Sequence, residues 1–321
     1  MADFPGSENF FLIGYITTFV TGLPLNIIAL CTLIKKCRKN LLPVDILLIN
    51  LTISDLLLLA FLPFRMVEAA SDMKWLLPYF ICSLSFFLLF SSIYITSLFL
   101  MAISVERYLA IAFPIKYKLL QKRIYFVVAS VFFWCLATVH CSIVYIVEHV
   151  VPMNVMETNT TVCYGAFSPP QLAILLPVRL EIFLLLFCVP FVITVFCYVN
   201  FIKIIMSQAR IQRRRKLRAI CLVVATLINF IICFLPYNVS HVVGFIEGDS
   251  PKWRVYTVLL SSFNASVDPI IFYFSTPSFK KAFLEGLFNM MKKLHFESQC
   301  YKYCSAYCIC NTENEETNVT F

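Results

Sequence analysis

Residues 82–114 read CSLSFFLLFSSIYITSLFLMAISVERYLAIAFP, an apolar stretch with a cysteine at one end and a Glu-Arg-Tyr triplet near the other. An α-helix rises 1.5 Å per residue, so about 20 apolar residues suffice to cross the hydrocarbon core of a membrane. Glu106 and Arg107 then lie at the end of the span, where a charged side chain is costly unless it is paired or hydrated. Taken alone, the stretch also fits an ordinary span ended by interfacial charges, so the rest of the chain must decide.

The composition excludes a soluble globular protein. The chain has 321 residues, of which 60% are hydrophobic and 14% charged, whereas soluble domains carry about 25% charged residues. The net charge of +8 could by itself indicate nucleic-acid binding, but the distribution of the charges argues against such a partner. The first apolar stretch contains Asn26 and lacks a small-residue cleavage site, which favours a retained span over a signal peptide.

Hydropathy predicts an all-α membrane protein, a bundle of seven transmembrane helices. The predicted spans are 10–34, 44–68, 80–111, 124–147, 174–205, 218–246 and 254–275. We therefore divide the chain into an extracellular N-terminus (1–9), a membrane domain (10–275) and a cytoplasmic tail (276–321). In the tail, Phe279, Phe283 and Leu287 recur at helical spacing, which predicts a short amphipathic helix on the membrane surface.

Basic residues occupy alternate connections and so predict the orientation. Lysine and arginine cluster in 35–39, 116–123 and 210–218, whereas the other connections contain acids such as Glu68, Asp72 and Glu247. Because Lys and Arg concentrate on the cytoplasmic side, we expect a multi-pass plasma-membrane protein with its N-terminus outside. The basic clusters would also offer a surface to a cytosolic partner.

The cysteines fit this topology. Of the 14 cysteines, only Cys82 and Cys163 fall at the outer face, where disulfides persist, so they are the expected pair. Asn159 begins an Asn-Thr-Thr sequon in the same loop and is the candidate glycosylation site. Four tail cysteines follow the last span: Cys300, Cys304, Cys308 and Cys310. Palmitoylation and free thiols remain alternatives for them.

Polar residues and prolines recur at definite places in the spans. They are Asn26 in the first span, Asp55 in the second, Glu106-Arg107-Tyr108 in the third, Trp134 in the fourth, Pro190 and Tyr198 in the fifth, Pro236 in the sixth, and Asp268, Pro269 and Tyr273 in the seventh. This ordered set resembles the rhodopsin-like G-protein-coupled receptors over nearly the whole chain. The sequence departs from their commonest form at Phe234, where tryptophan is usual, and at Asp268, where asparagine is usual.

Four nitrogen bases from four spans are predicted to share the outer half of the bundle: His140, Arg179, His241 and Arg254. Two buried guanidiniums can offer paired, charge-assisted donors to a carboxylate, so the set indicates an anion site. The alternative is a pair of rim salt bridges, with Glu181 for Arg179 and with Glu247 or Asp249 for Arg254. For His140, an interhelical hydrogen bond is the competing interpretation. Tyr237 lies four residues before His241 and shares its helix face.

A closer resemblance is to the short-chain free fatty acid receptors, types two and three. It is carried by segments including Leu176–Glu181 (LPVRLE), Pro236–His241 (PYNVSH) and Ser91–Tyr94 (SSIY). The resemblance implies that Arg179 and Arg254 hold a short carboxylate such as acetate, propionate or butyrate. His140, His241 and Tyr237 would support the site, with Phe90, Tyr94 and Asn238 beside them. Phe90 stands where the type-two form has tyrosine, which leaves the subtype open.

The rhodopsin-like resemblance also implies a switch at the inner end and a set of partners. The switch residues are Glu106, Arg107, Tyr108, Tyr198, Asp268, Pro269 and Tyr273, and Asp55 is a candidate sodium site. In the resting state Glu106 would hold Arg107. The expected partners are a heterotrimeric G protein, arrestin and membrane lipid, with no cofactor and no enzymatic activity.

Three other functions remain as alternatives. The ligand could be a nucleotide or a lipid phosphate, since arginines also bind phosphates. A proton-coupled carboxylate transporter is disfavoured because seven spans do not divide into two equal repeats. An enzyme is disfavoured because the outer cluster lacks a nucleophile–base pair.

Overall fold

The structure, a computed structural model, describes residues 7–39, 41–150, 163–164, 167–209 and 211–275. It is built from helices. Their bounds are α1 Ser7–Lys39, α2 Pro43–Ala70, α3 Tyr79–Ala112, α4 Pro114–Leu120, α5 Arg123–Cys141, α6 Ile143–Val150, α7 Pro169–Ile182, a π-helical segment Phe183–Cys188, α8 Val189–Ser207, α9 Arg213–Glu247, α10 Arg254–Ser262 and α11 Asn264–Ser275.

These helices provide the predicted spans. Within the described ranges, six helical segments are long and apolar enough to cross a membrane, including Arg123–Val147 for the fourth span and Pro169–Ser207 for the fifth. The seventh span consists of α10 and α11, which meet at Phe263. Phe263 keeps helical dihedral angles (φ −61°, ψ −21°), so the chain continues in a helical turn across the junction. The all-α membrane bundle is confirmed.

Pro269 explains the hydrogen bond that joins the first span to the seventh. Pro269 lies inside α11 and has no N–H to donate to the carbonyl four residues earlier, at Ala265. Asn26 of α1 donates its Nδ2 to that carbonyl at 2.6 Å. A side chain from a neighbouring span thus satisfies a backbone group that would otherwise be exposed to hydrocarbon, and the first span is fixed to the seventh.

Helix α3 occupies the centre and is the most enclosed of the long helices. Its Ser92 meets Ser54 of α2, with the two Oγ atoms 3.1 Å apart. On the neighbouring side, Trp134 of α5 donates to the side-chain oxygen of Asn50 in α2 at 3.0 Å. Short polar contacts of this kind hold helices together where burial of apolar surface from water gives little driving force.

The two ends of the bundle differ chemically, and we name them by their residues. The basic end contains the last turns of α3, with Arg107, and the start of α9 at Arg213. There the Asp45 carboxylate accepts from Lys36 at 2.7 Å and from the backbone N–H of Leu42 at 3.0 Å, which orders the turn between α1 and α2. The opposite end, the disulfide end, contains the predicted disulfide between Cys82 and Cys163, which is confirmed.

The disulfide ties the segment around Tyr164 to the start of α3. Both sulfurs are buried, with relative exposures of 0% and 3%, and the two Cα atoms lie 5.8 Å apart. Tyr164 follows at once and packs its ring against Phe86 of α3 at 5.0 Å between centroids. The bond therefore positions an aromatic side chain over the bundle.

We predict that Cys82→Ser lowers the melting temperature of the detergent-solubilised protein by roughly 5–15 °C. The bond closes a loop of 81 residues, and in the chain-entropy account such a loop contributes about 4 kcal/mol. Cys135→Ser is the matched control, since Cys135 is an exposed free thiol. Alkylation of both Cys82 and Cys163 in the native, unreduced protein would contradict the assignment.

Candidate functional site

A cavity opens at the disulfide end between α3, α7, α9 and α10. Its polar lining consists of Arg179, Arg254, His241, Tyr94, Tyr164 and Tyr237, and its apolar lining includes Phe90 and Leu175. Its empty volume, including the open space at its mouth, is only about 270 Å³. The cavity therefore suits a molecule of few heavy atoms.

Arg179 enters the cavity from α7, in the turns that precede the π-helical segment. Its side chain is buried at 3% exposure. Nη1 donates to the Ser250 hydroxyl at 3.2 Å, and the guanidinium lies over the Phe167 ring at 5.2 Å. Nη2 has no hydrogen-bond partner among the described residues, so one donor points into the bundle unused.

Arg254 enters from the first turn of α10 and is also buried. Its Nη2 donates to the Tyr237 hydroxyl at 3.1 Å. The guanidinium carbon lies 5.4 Å from the Phe90 centroid and 5.3 Å from the Tyr237 centroid, distances at which a cation is attracted to a ring face. Nε makes no hydrogen bond within the described part of the chain.

Among the residues that the structure describes, neither guanidinium has a counter-ion. In the described ranges, no Asp or Glu oxygen lies within 4.0 Å of Arg179 or Arg254. The rim salt bridges considered above are therefore not formed between described residues. Two buried positive charges that share a cavity repel each other and are poorly solvated. An anion with planar, paired acceptors would relieve both costs.

Tyr94, His241 and Asn238 form a hydrogen-bonding group beside the arginines. The Tyr94 hydroxyl lies 2.9 Å from His241 Nε2 and 3.4 Å from Asn238 Oδ1. As their spacing predicts, Tyr237 and His241 contact each other, with ring centroids 4.7 Å apart. His241 Nδ1 has no partner among the residues that the structure describes, so a further polar atom remains available.

Aromatic rings form the wall of the cavity. Phe90 stacks on Tyr237 at 5.7 Å with an interplanar angle of 18°, and it packs against Phe86 at 5.4 Å and Tyr164 at 5.7 Å. Burial raises the pKa of the Tyr164 phenol, although the nearby Arg179 and Arg254 oppose that rise. Tyr164 therefore stays a neutral hydrogen-bond donor at neutral pH, and the wall adds no negative charge.

His140 does not line this cavity. Its Nδ1 lies 2.7 Å from the Leu136 carbonyl, and Nε2 lies 3.7 Å from a carboxylate oxygen of Glu181, whose side chain is 53% exposed. The imidazole thus points towards the outer surface between α5 and α7. Of the four predicted bases, the structure brings together Arg179, His241 and Arg254.

A second, smaller cavity of about 180 Å³ contains Asp55, with Ser92, Thr96 and Ser262 among its lining residues. Asp55 Oδ2 is buried without a hydrogen-bond partner in the described ranges. The Asp268 carboxylate, by contrast, accepts from Asn229 at 3.1 Å and from Asn264 at 2.8 Å. Within those ranges no cluster of three His, Cys, Asp or Glu side chains is found, so any cation here would rely on Asp55 and hydroxyl oxygens.

Comparison with known proteins identifies the family. The model of the family described as "7 transmembrane receptor (rhodopsin family)" matches residues 25–272. The chain belongs to this rhodopsin family of receptors. It is 48% identical over 289 residues to Free fatty acid receptor 3 of Rattus norvegicus, covering 90% of each chain. It is 46% identical over 282 residues to Free fatty acid receptor 2 of Homo sapiens, covering 87% of this chain and 86% of that one. Identity to Free fatty acid receptor 1 of Mesocricetus auratus is 30% over 276 residues.

At the basic end of the receptor, Glu106 does not pair with Arg107. Tyr117 of α4 donates its hydroxyl to the Glu106 carboxylate, and burial and this hydrogen bond both raise the pKa of Tyr117. Arg107 Nη1 is buried without a partner among described residues. The ion pair expected for the resting state is therefore not formed in this conformation.

Of the remaining predicted residues, some lie within the described ranges and others lie outside them. The Tyr108 ring contacts Phe113 at 6.3 Å and Phe196 at 6.1 Å, and Tyr198 is buried in α8. Tyr273 lies in α11. Asn159, the amphipathic helix after the seventh span and the four tail cysteines lie outside the described residues, so those assignments remain predictions.

Sequence reasoning missed a buried ion pair in the receptor. Arg65 and Glu68 of α2 contact each other with exposures of only 4% and 3%. The second span was predicted to end at residue 68, with Glu68 in a connection, whereas α2 continues to Ala70. The i,i+3 spacing of the two charges was the signal that could have revealed the pair.

We predict that Arg179→Met raises the melting temperature of the ligand-free receptor. The substitution removes a buried charge that lacks a counter-ion, and apolar replacement of such groups is often stabilising. Arg65→Met is the matched control and should destabilise the receptor by about 3–5 kcal/mol, because Glu68 loses its partner. Equal destabilisation by both substitutions would contradict this description of the cavity.

Proposed function

We propose that this receptor binds short-chain carboxylates at its disulfide end and, when occupied, activates a heterotrimeric G protein. The observation that carries the proposal is the pair of buried guanidiniums, Arg179 and Arg254, which converge on one cavity without an acid within 4.0 Å among described residues. A ligand carboxylate would complete the hydrogen bonding that Arg179 Nη2 and Arg254 Nε lack.

The size and lining of the cavity support a short acyl chain. The alkyl tail would pack against Phe90 and Tyr94, and each buried methylene would contribute about 0.8 kcal/mol. With so few methylenes, affinity would be weak and would depend mainly on the charged end. The relatives' names, Free fatty acid receptor 2 and Free fatty acid receptor 3, agree with this ligand class.

A phosphate ligand is the second candidate, because arginines bind phosphates as well as carboxylates. Size argues against it. A nucleotide or a lipid headgroup with its tails is far larger than a short carboxylate and would not fit within a wall of packed aromatic rings.

Orientation follows from the charge pattern. The basic end carries Lys116, Lys118 and Arg213–Arg215, so it would face the cytosol. The disulfide end and the N-terminus would then face outward across the plasma membrane. The ligand would enter from the extracellular side, and the G protein, and later arrestin, would bind at the basic end.

For signal transfer, binding would draw the outer parts of α7 and α10 towards the shared anion. A ligand shifts the conformational equilibrium only by binding one state more tightly. The inner ends of α8 and α9 would separate, exposing Arg107 to the G protein.

Asp55 remains the candidate sodium ligand, because its Oδ2 lacks a partner in the described residues.

Arg179→Ala and Arg254→Ala should each reduce the potency of propionate about tenfold to hundredfold, because each removes a charge-assisted partner worth roughly 1.5–3 kcal/mol. Lysine should rescue poorly, since a point charge cannot reproduce the planar fork. The measurement is G-protein activation in cells at matched surface expression, with propionamide and methyl propionate as uncharged ligand controls.

Lys252→Ala is the control variant, because Lys252 is an exposed cation two residues from Arg254. It should change propionate potency less than threefold. Unchanged responses of both arginine variants to propionate and butyrate would refute the proposed ligand class while leaving the receptor fold intact.

At the basic end, Glu106→Gln removes the charge of the carboxylate that accepts from Tyr117, which weakens this hydrogen bond and should raise ligand-independent signalling. Arg107→Ala should impair coupling while sparing ligand binding. Tyr117→Phe removes the hydroxyl that donates to Glu106, so it tests whether this hydrogen bond keeps the receptor inactive. If Glu106 acts through this hydrogen bond, Tyr117→Phe should reproduce the basal increase of Glu106→Gln. Basal activities equal to the parent in both variants, measured by nucleotide exchange on purified G protein, would count against the mechanism.

A further inference from the structure

The buried ion pair of Arg65 and Glu68 lies in the disulfide half of the bundle, one helical turn apart on α2. It is separate from the cavity formed by Arg179 and Arg254, whose lining does not include either residue. A buried ion pair is often less stable than an apolar pair of similar volume. Stability alone is therefore a weak reason for its presence.

The pair adjoins the cavity through one aromatic wall. The Arg65 guanidinium lies 4.2 Å from the centroid of Phe86, and the Tyr15 ring lies 6.0 Å away. Phe86 packs on Phe90 and Tyr164, and Phe90 bears the Arg254 guanidinium at 5.4 Å. Two buried guanidiniums, those of Arg65 and Arg254, thus lie against the same group of rings.

Arg65 has hydrogen-bonding capacity that Glu68 does not use. Arg65 Nη1 contacts Glu68 Oε2 in the ion pair, whereas Arg65 Nε has no hydrogen-bond partner among the described residues. A buried guanidinium with one donor atom that lacks a partner is the feature that also marks Arg179 and Arg254. Arg65 differs from Arg179 and Arg254 because it already contacts a carboxylate of the chain, that of Glu68.

We propose that Arg65 is a second carboxylate site, that Glu68 is its internal occupant, and that this occupancy restricts the receptor to ligands with a single carboxylate. Rings Phe86 and Phe90 separate the two sites. A dicarboxylate could reach both only if its chain were long enough to pass these rings and if Glu68 no longer held Arg65. The inference rests on the proposed function, because the first carboxylate must bind Arg179 and Arg254.

Glu68→Gln tests the idea, since it keeps the size of the side chain and removes its charge. Propionate and the unbranched dicarboxylates from succinate to azelate are compared as agonists, or as competitors of propionate, at matched surface expression. We expect at least one dicarboxylate of intermediate length to gain tenfold or more in potency, while propionate changes less than threefold. The parent receptor should respond poorly to the whole dicarboxylate series.

Two controls separate the specific effect from a general one. Glu181→Gln removes an exposed acid of the same end without touching Arg65 and should give no gain. The double variant Arg65→Gln/Glu68→Gln should lose any gain seen with Glu68→Gln. If Glu68→Gln does not reach the surface, Glu68→Asp withdraws the carboxylate by one methylene and should give a gain of about threefold to tenfold.

The outcomes distinguish this inference from the function on which it rests. If the parent does not respond to propionate, the proposed ligand class fails. If the parent responds but neither Glu68 variant gains more with any dicarboxylate than Glu181→Gln does, the second site is refuted. A gain that survives in the double variant would also refute it, because Arg65 would not be the group that binds.

Discussion

The receptor depends on two buried guanidiniums that no acid neutralises among the residues described. Arg179 and Arg254 are fixed by Ser250 and Tyr237, and their charges are moderated by aromatic faces rather than by a carboxylate. Such an arrangement costs stability in the empty protein. In the proposed function, a ligand carboxylate would contact both arginines and so link two spans. A ligand with few atoms would then bind mainly through its charge, because its small apolar area contributes little binding energy.

The rest of the fold holds that cavity in place. The disulfide from Cys82 fixes Tyr164 over the rings of α3, and the contact of Asn26 with the carbonyl freed by Pro269 fixes the span that carries Arg254. The deeper polar layer, in which Asn229 and Asn264 donate to Asp268, ties α9 to α11. The cavity and the basic end are thus joined by α9 and by the broken seventh span, both of which carry groups of the site.

Sequence reasoning reached the parts that depend on span direction and helical spacing. The depth of Arg179 before Pro190 and of His241 after Pro236 follows from which way each span runs, and the Tyr237–His241 contact follows from a spacing of four. The direction in which a side chain turns towards a neighbouring helix could not be predicted from the sequence. His140 lies at the predicted level but turns to Glu181. Glu68 stays inside the membrane region because Arg65 compensates it, a pairing that hydropathy does not register.

The most direct test of the central claim is a structure of the receptor with 3-bromopropionate, located by the anomalous scattering of bromine. We predict bromine density against Phe90 and Tyr94, with carboxylate oxygens about 2.7–3.2 Å from Arg179 Nη2 and Arg254 Nε. Bromine density outside this cavity, or a carboxylate bound to only one of the two arginines, would contradict the account.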